Sequence, residues 1–185
     1  MGLEKPKKLQ LVPYESEILR RTLRPVPDPR DPEILDLAAD MLYSIDVQRL
    51  KRGAAGMAAN QWGFDWQMFV FCPEGNQEND PKEVVFNPSY QVLDEIEEEA
   101  FEGCFSIPRA VMRVRRPTQI QIRYQNADGE WIEKQLSDWA ARVWQHETDH
   151  VLGVLCDAKG QDTLERIQFK DAEEQAAFYR KARGG

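Results

Sequence analysis

Both histidines of this 185-residue chain fall in one five-residue stretch, His146-Glu147-Thr148-Asp149-His150, so its imidazole chemistry must be gathered at a single point. A helix over residues 138–152 puts His146 and His150 about one turn apart on one face, where both rings can reach one metal ion. Glu147 then stands beside them, free for proton transfer. Two histidines at this spacing can also be the polar edge of an amphipathic helix. The metal reading therefore turns on a third ligand, because a catalytic metal usually keeps three protein ligands and one open position.

The length suits one compact domain and is too short for two comfortable ones, so a single catalytic domain spanning 1–185 is expected. Apolar residues at 42% and charged residues at 30% fit a soluble globular protein rather than a disordered chain. No segment approaches the roughly 18 apolar residues of a membrane span. The basic opening Met1 to Lys8 is followed by no apolar run of the signal-peptide kind, so export is not expected. Cys72, Cys104 and Cys156 are odd in number and irregular in spacing, which argues for a reducing, cytoplasmic setting. A net charge of −8 gives no support to direct nucleic-acid binding. Arg113-Val114-Arg115-Arg116 reads as a solvated strand end, and the acidic run from Asp94 to Glu99 as solvated charge alternating across a strand.

Asp31-Pro32 is a helix start, and Ile34, Leu37, Ala38, Met41, Leu42 and Ile45 recur with helical spacing after it. Small residues fill 53–61. Gln67 to Cys72 follows as a buried strand closed by Pro73 and Gly75. Between Pro81 and Leu136 the pattern becomes antiparallel sheet, including Glu83 to Phe86, Ile120 to Tyr124 and Trp131 to Leu136, with Asp128-Gly129 as a turn. Ser137 is placed to cap the histidine helix and Gly153 to end it. Asp171 with Glu174 starts a last helix that ends near Gly184. The expected fold class is α+β: mostly antiparallel sheets wrapped around a central metal-binding helix, with an N-terminal and a C-terminal helix.

For the third ligand, the metzincin pattern needs a histidine at position 156, where this chain has Cys156, although Gly153 is in place. An HExxH zinc peptidase with a carboxylate from Glu165, Glu173 or Glu174 is the other option, but those residues read as solvated. The stronger candidate is Cys104 in Glu102-Gly103-Cys104-Phe105-Ser106-Ile107-Pro108, where proline soon stops the strand. Thiolate and imidazole together suit Zn(II), Fe(II), Co(II) or Ni(II), so the donors do not choose the metal. On composition alone Cys104 can equally be an ordinary buried thiol.

Three segments in this order resemble peptide deformylase: Gly56-Met57-Ala58-Ala59-Asn60-Gln61, Glu102-Gly103-Cys104-Phe105-Ser106 and Gln145-His146-Glu147-Thr148-Asp149-His150. The likeness extends over roughly residues 10 to 160 and is more specific than any one motif. It implies that Cys104, His146 and His150 bind a catalytic metal, natively Fe(II), with Zn(II), Ni(II) or Co(II) as substitutes. It also implies Glu147 as general base and acid, the Gln61 side-chain amide and Phe105 backbone N–H as oxyanion donors, and Gly56, Met57 and Phe105 as substrate contacts. The substrates so implied are N-formylmethionyl nascent peptides, cleaved to formate near the ribosome.

The chain departs from that pattern at Ala54, which stands where the family has glycine and would be strained at positive φ by roughly 1 kcal/mol. Phe105 replaces a leucine and reshapes the groove; Val151 replaces another as a packing change. Residues 46–52 read as a solvated helix end. These differences leave the metal site intact but keep open a deformylase-like amidohydrolase acting on another formylated or acylated compound; a metal-stabilised binding module is the non-enzymatic alternative, against which an intact Glu147 and Gln61 weigh. Asp149 is expected to hold backbone or an arginine, Cys72 to be a buried thiol, and most of Trp62, Trp66, Trp139 and Trp144 to pack in the core.

Overall fold

In the computed structural model, which describes residues 5–74, 80–157 and 163–182, Asp31 opens the first helix. Its carboxylate accepts the Glu33 amide at 2.8 Å, and α1 runs Pro32–Arg52. Residues 46–52, read above as a helix end, are its last turns. Eight strands follow among the described residues: β1 Gly56–Ala58, β2 Met68–Phe71, β3 Glu83–Val92, β4 Glu97–Cys104, β5 Ile107–Pro117, β6 Gln119–Gln125, β7 Trp131–Ser137 and β8 Thr163–Gln168. Helix α2, Asp138–Val151, stands between β7 and β8, and α3, Ala172–Ala182, follows β8. All strand pairs are antiparallel, in one sheet of order β1-β2-β3-β6-β7 and another of order β4-β5-β8.

Strand β2 is apolar at every position because both its faces are covered. Met68 and Val70 join Ile34, Ala38, Met41 and Ile45 of α1 in one cluster. Phe69 and Phe71 turn the other way, to Trp144 of α2, at ring separations of 5.0 and 5.3 Å. Tyr124 of β6 closes on the same indole at 5.3 Å. Helix α2 thus runs through the middle of the molecule, packed against strands of both sheets. The α+β architecture of antiparallel sheets around a central helix is the one expected.

The ends of α2 differ in how well sequence cues describe them. At the C-terminus Gly153 adopts φ +76, its amide bonds the His150 carbonyl at 3.1 Å, and the Val154 amide bonds that of Asp149 at 2.8 Å. This pairing satisfies carbonyls the helix leaves open, and only glycine takes that φ without strain. At the N-terminus Ser137 holds the cap position without a side-chain cap bond. Strand β7 runs directly into the helix, and the turn is made at Asp138, at φ +51, whose amide bonds the Thr118 carbonyl at 2.8 Å.

Two expectations need correction. The Arg113–Arg116 stretch is not a solvated strand end: it lies inside β5, and Arg116 is 1% exposed. Strand alternation turns Val114 and Arg116 inward and Arg115 outward. Arg113 and Arg115 pair across the ladder with Glu97 and Glu99 of the acidic run, which is exposed as expected. Pro108 does not stop the strand either; the chain turns at Phe105-Ser106, and Pro108 is the second residue of β5. Cys72 is a buried thiol and Trp62 and Trp144 are core residues, whereas Trp139 is half exposed. For the last helix, Asp171 accepts the Glu174 amide at 2.9 Å, but the Glu174 carboxylate returns to the Lys170 amide instead of that of Asp171. Gly75 and Gly184, expected to mark element ends, lie outside the described residues.

Candidate metal centre and active site

Ligand atoms of Cys104, His146 and His150 all lie within 4.8 Å of one another, with Cys104 Sγ 3.2 Å from His150 Nε2. The one-turn spacing on α2 brings the two imidazoles to 5.1 Å between ring centres. Cys104 arrives from the last residue of β4, just before the turn into β5. One thiolate and two imidazoles are a donor set suited to a divalent transition metal, so the residues present fit such an ion. A hydrogen bond from Cys156 and the nearby imidazole charge hold the Cys104 thiol well below its usual range despite burial, which favours the ligating thiolate. That bond and burial push the Cys156 thiol up.

Glu102, two residues before Cys104 on the same inward face of β4, holds His146 from behind through a 3.0 Å contact between its carboxylate and Nδ1. Arg116 donates to it through Nε and Nη2 at 2.6 and 2.7 Å, and Arg142 through Nη1 at 2.8 Å. Burial works to raise the Glu102 carboxyl, but Arg116 and His146 outweigh it and hold it well below the carboxylate range. Arg116 also donates to Asp149 at 2.8 Å, the arginine-holding role expected of Asp149. A carboxylate behind a ligating imidazole fixes the ring and its tautomer. Sequence reading missed Glu102, Arg116, Arg142 and Cys156 as parts of the site; the inward register of β4 and β5 was the signal for the first two.

Gln61 sits in a 3-10 turn, Ala59–Trp62, after β1. Its Oε1 accepts the Ala58 amide at 3.0 Å, so its NH2 must face the other way, toward Ser106 Oγ at 3.1 Å and Cys104 Sγ at 3.9 Å. Glu147 is 3% exposed, and its Oε2 is buried without a hydrogen-bond partner among the described residues. Burial raises its carboxyl to about 7 against the pull of the two imidazoles.

Gly56 explains how that carboxylate fits, because a Cβ at position 56 would lie 2.7 Å from Glu147 Cγ and Oε1. Gly56→Ala is expected to displace Glu147 and lower turnover on the order of 10²-fold, with metal content retained. Assays of turnover and bound metal on the purified variant check this; parental turnover would show that the carboxylate does not need that space. Ala54 carries no strain: the positive φ falls at Gly53, at +73, and Ala54 is buried with φ outside that region. A cleft of about 970 Å³ opens over the cluster, lined among others by Gly56, Gln61, Phe105, Glu147 and Trp139. Met57, expected at the substrate, has its side chain fully buried in the α1 cluster and is not among the lining residues.

Residues 8–163 match the family model described as polypeptide deformylase. A peptide deformylase of Thermotoga petrophila is 35% identical over 144 residues, covering 77% of this chain and 80% of that protein. Peptide deformylase 2 of Ralstonia nicotianae is 34% identical over 152 residues, covering 78% and 82%. The crystal structure of the Thermotoga maritima peptide deformylase superposes with a TM-score of 0.73 at 29% identity over 86% of this chain and 99% of that one. With the family model, the sequence relatives and the Cys/His/His cluster in agreement, the chain belongs to the polypeptide deformylase family.

Proposed function

We propose that this peptide deformylase, a metal-dependent hydrolase, removes the formyl group from N-formylmethionyl nascent peptides with Glu147 as its proton carrier. The observation that carries the reading is the buried Glu147 carboxylate, whose Oε2 has no hydrogen-bond partner among the described residues, beside the Cys104, His146 and His150 cluster. Those three residues would hold the ion, Fe(II) natively with Zn(II), Ni(II) or Co(II) as substitutes, and when bound it supplies Lewis acidity that makes water acidic enough to ionise near neutral pH. Glu147 accepts the proton of the attacking water and returns it to the leaving amine, which frees formate and a peptide with a new N-terminus. The Gln61 NH2, aimed at the cluster by the Ala58 bond, and the Phe105 amide, directly after Cys104, donate to the oxygen that gains charge.

Peptide binding rests on sheet edges. β1 and β4 are each the edge strand of their sheet, and Gly56 of β1 and Gly103 of β4 both line the cleft. An extended peptide can pair its backbone with such an edge. The whole chain serves as one catalytic domain, since the cleft draws residues from Gly53 to Arg180. Action in the cytoplasm, close to the ribosome, is part of the same proposal, supported by the nascent substrate it assigns and by three free, buried cysteines. No helix among the described residues is long and apolar enough to cross a membrane. The unstrained Ala54 removes one of the two motives for a divergent substrate.

The test is formate release from formyl-Met-Ala-Ser by protein prepared without oxygen and loaded with Fe(II). Rapid release is expected. Metal-replete protein that leaves the peptide intact would overturn the reading.

A further inference from the structure

We propose that Tyr179 of α3 is a specificity-determining residue of this enzyme, contacting the formylated peptide beyond its first residue; this rests on the deformylase reading above. The cleft does not end at the metal cluster. It continues past Gly103 to the C-terminal helix, where Gln175, Tyr179 and Arg180 form part of its wall.

Gly103 is what seats Tyr179 there. The Tyr179 hydroxyl occupies the space that a Cβ at position 103 would fill, so any side chain at 103 would push it out. Gly103 directly precedes Cys104, and consecutive Cα atoms are about 3.8 Å apart. An extended peptide advances roughly 3.3 Å per residue. With the formyl carbon at the cluster, the hydroxyl end of Tyr179 lies about one residue along the substrate, and its ring, with Gln175 and Arg180, extends the wall toward the residues that follow the formylated one.

The placement of α3 is determined by several independent ties. Phe178 packs edge-on against Phe101 of β4 at 5.1 Å and tilted against Phe169 at 5.3 Å. Gln175 Nε2 donates to the Ala110 carbonyl at 3.3 Å, and Arg109 Nη1 to the Lys170 carbonyl at 2.9 Å. Arg109 holds φ +56 to do so, a conformation non-glycine residues rarely adopt. Asp171 accepts the amides of Glu173 and Glu174 at 3.1 and 2.9 Å, which caps the helix on the side of the cleft where it begins. A helix tied down at this many points presents a fixed surface to the cleft.

The experiment measures kcat and KM of the metal-loaded full chain and of its Tyr179→Ala and Tyr179→Phe variants on formyl-Met-Ala-Ser and on formyl-methionine amide. In Tyr179→Ala the ratio of kcat/KM for the tripeptide to that for the amide is expected to fall about fivefold or more, with the change in KM. Tyr179→Phe, which keeps the ring, is expected to fall between the two. Inhibition by the product peptide Met-Ala-Ser is expected to weaken in parallel, a binding readout that needs no turnover of the tripeptide. A ratio that stays constant while the parent hydrolyses both compounds overturns the role of Tyr179 alone. A metal-loaded parent that hydrolyses neither overturns the deformylase reading and this role with it.

Discussion

Glu147→Gln is expected to retain metal and fold yet lose ~10²–10⁴-fold in kcat, the range spanned by a positioned acid–base group. Glutamine has the same shape and can occupy the space left by Gly56, so no cavity or clash accompanies the change. It cannot accept a proton from water or return one to the amine. Among the described residues the neighbouring titratable groups cannot stand in, because His146 and His150 are committed to the cluster and Glu102 is engaged by Arg116, Arg142 and His146. The paired measurements are formate release and metal content by elemental analysis. A variant that binds metal and still turns over near the parental rate would remove Glu147 from the mechanism and leave the step to the metal-holding residues, Gln61 and the Phe105 amide.

Much of the site was legible because its parts are local. The i, i+4 histidines need only a helix to face one another, and Gly153 ends that helix with the φ that favours glycine. The run from Met68 to Phe71 is apolar throughout because α1 covers one face and α2 the other, which a strand of this kind announces by composition. Arg116 was misread for the opposite reason. A block of three cations in four residues looks solvated as a block, but strand alternation separates Arg115 from Arg116 and sends only the latter to Glu102 and Asp149. The Ala54 departure lost its meaning once Gly53 proved to supply the positive φ. The wall made by α3 had no local signal, since the contact of Tyr179 with Gly103 joins residues far apart in the chain.

The second large effect is structural and concerns Glu102→Gln. Glu102 is 7% exposed, and its carboxylate accepts four contacts, two from Arg116, one from Arg142 and one from His146. Glutamine keeps the volume but offers one acceptor oxygen and no charge, so it leaves Arg116 with Asp149 as its carboxylate partner and Arg142 with only the Val114 and Glu98 carbonyls among the described residues. Removing one partner of a buried ion pair typically costs about 3–5 kcal/mol, far more than the pair contributes over an apolar replacement. For a domain of this size that corresponds to a fall in Tm of roughly 6–20 °C. The loss should also reach the metal, because a displaced carboxylate behind a ligating imidazole commonly costs 10–100-fold in affinity. Arg115→Ala serves as the comparison: it removes a cation one position away in the same strand, but its partners Glu97 and Glu99 lie in solvent, where such pairs contribute about 0–1 kcal/mol. Thermal melts of the metal-free proteins, followed by metal titration, separate the two effects. Equal, small shifts for Glu102→Gln and Arg115→Ala would mean that Arg116 and Arg142 find other partners when Glu102 is lost. A large thermal shift together with weakened metal binding, both confined to Glu102→Gln, would show that one carboxylate both neutralises the interior arginines and sets the His146 ring.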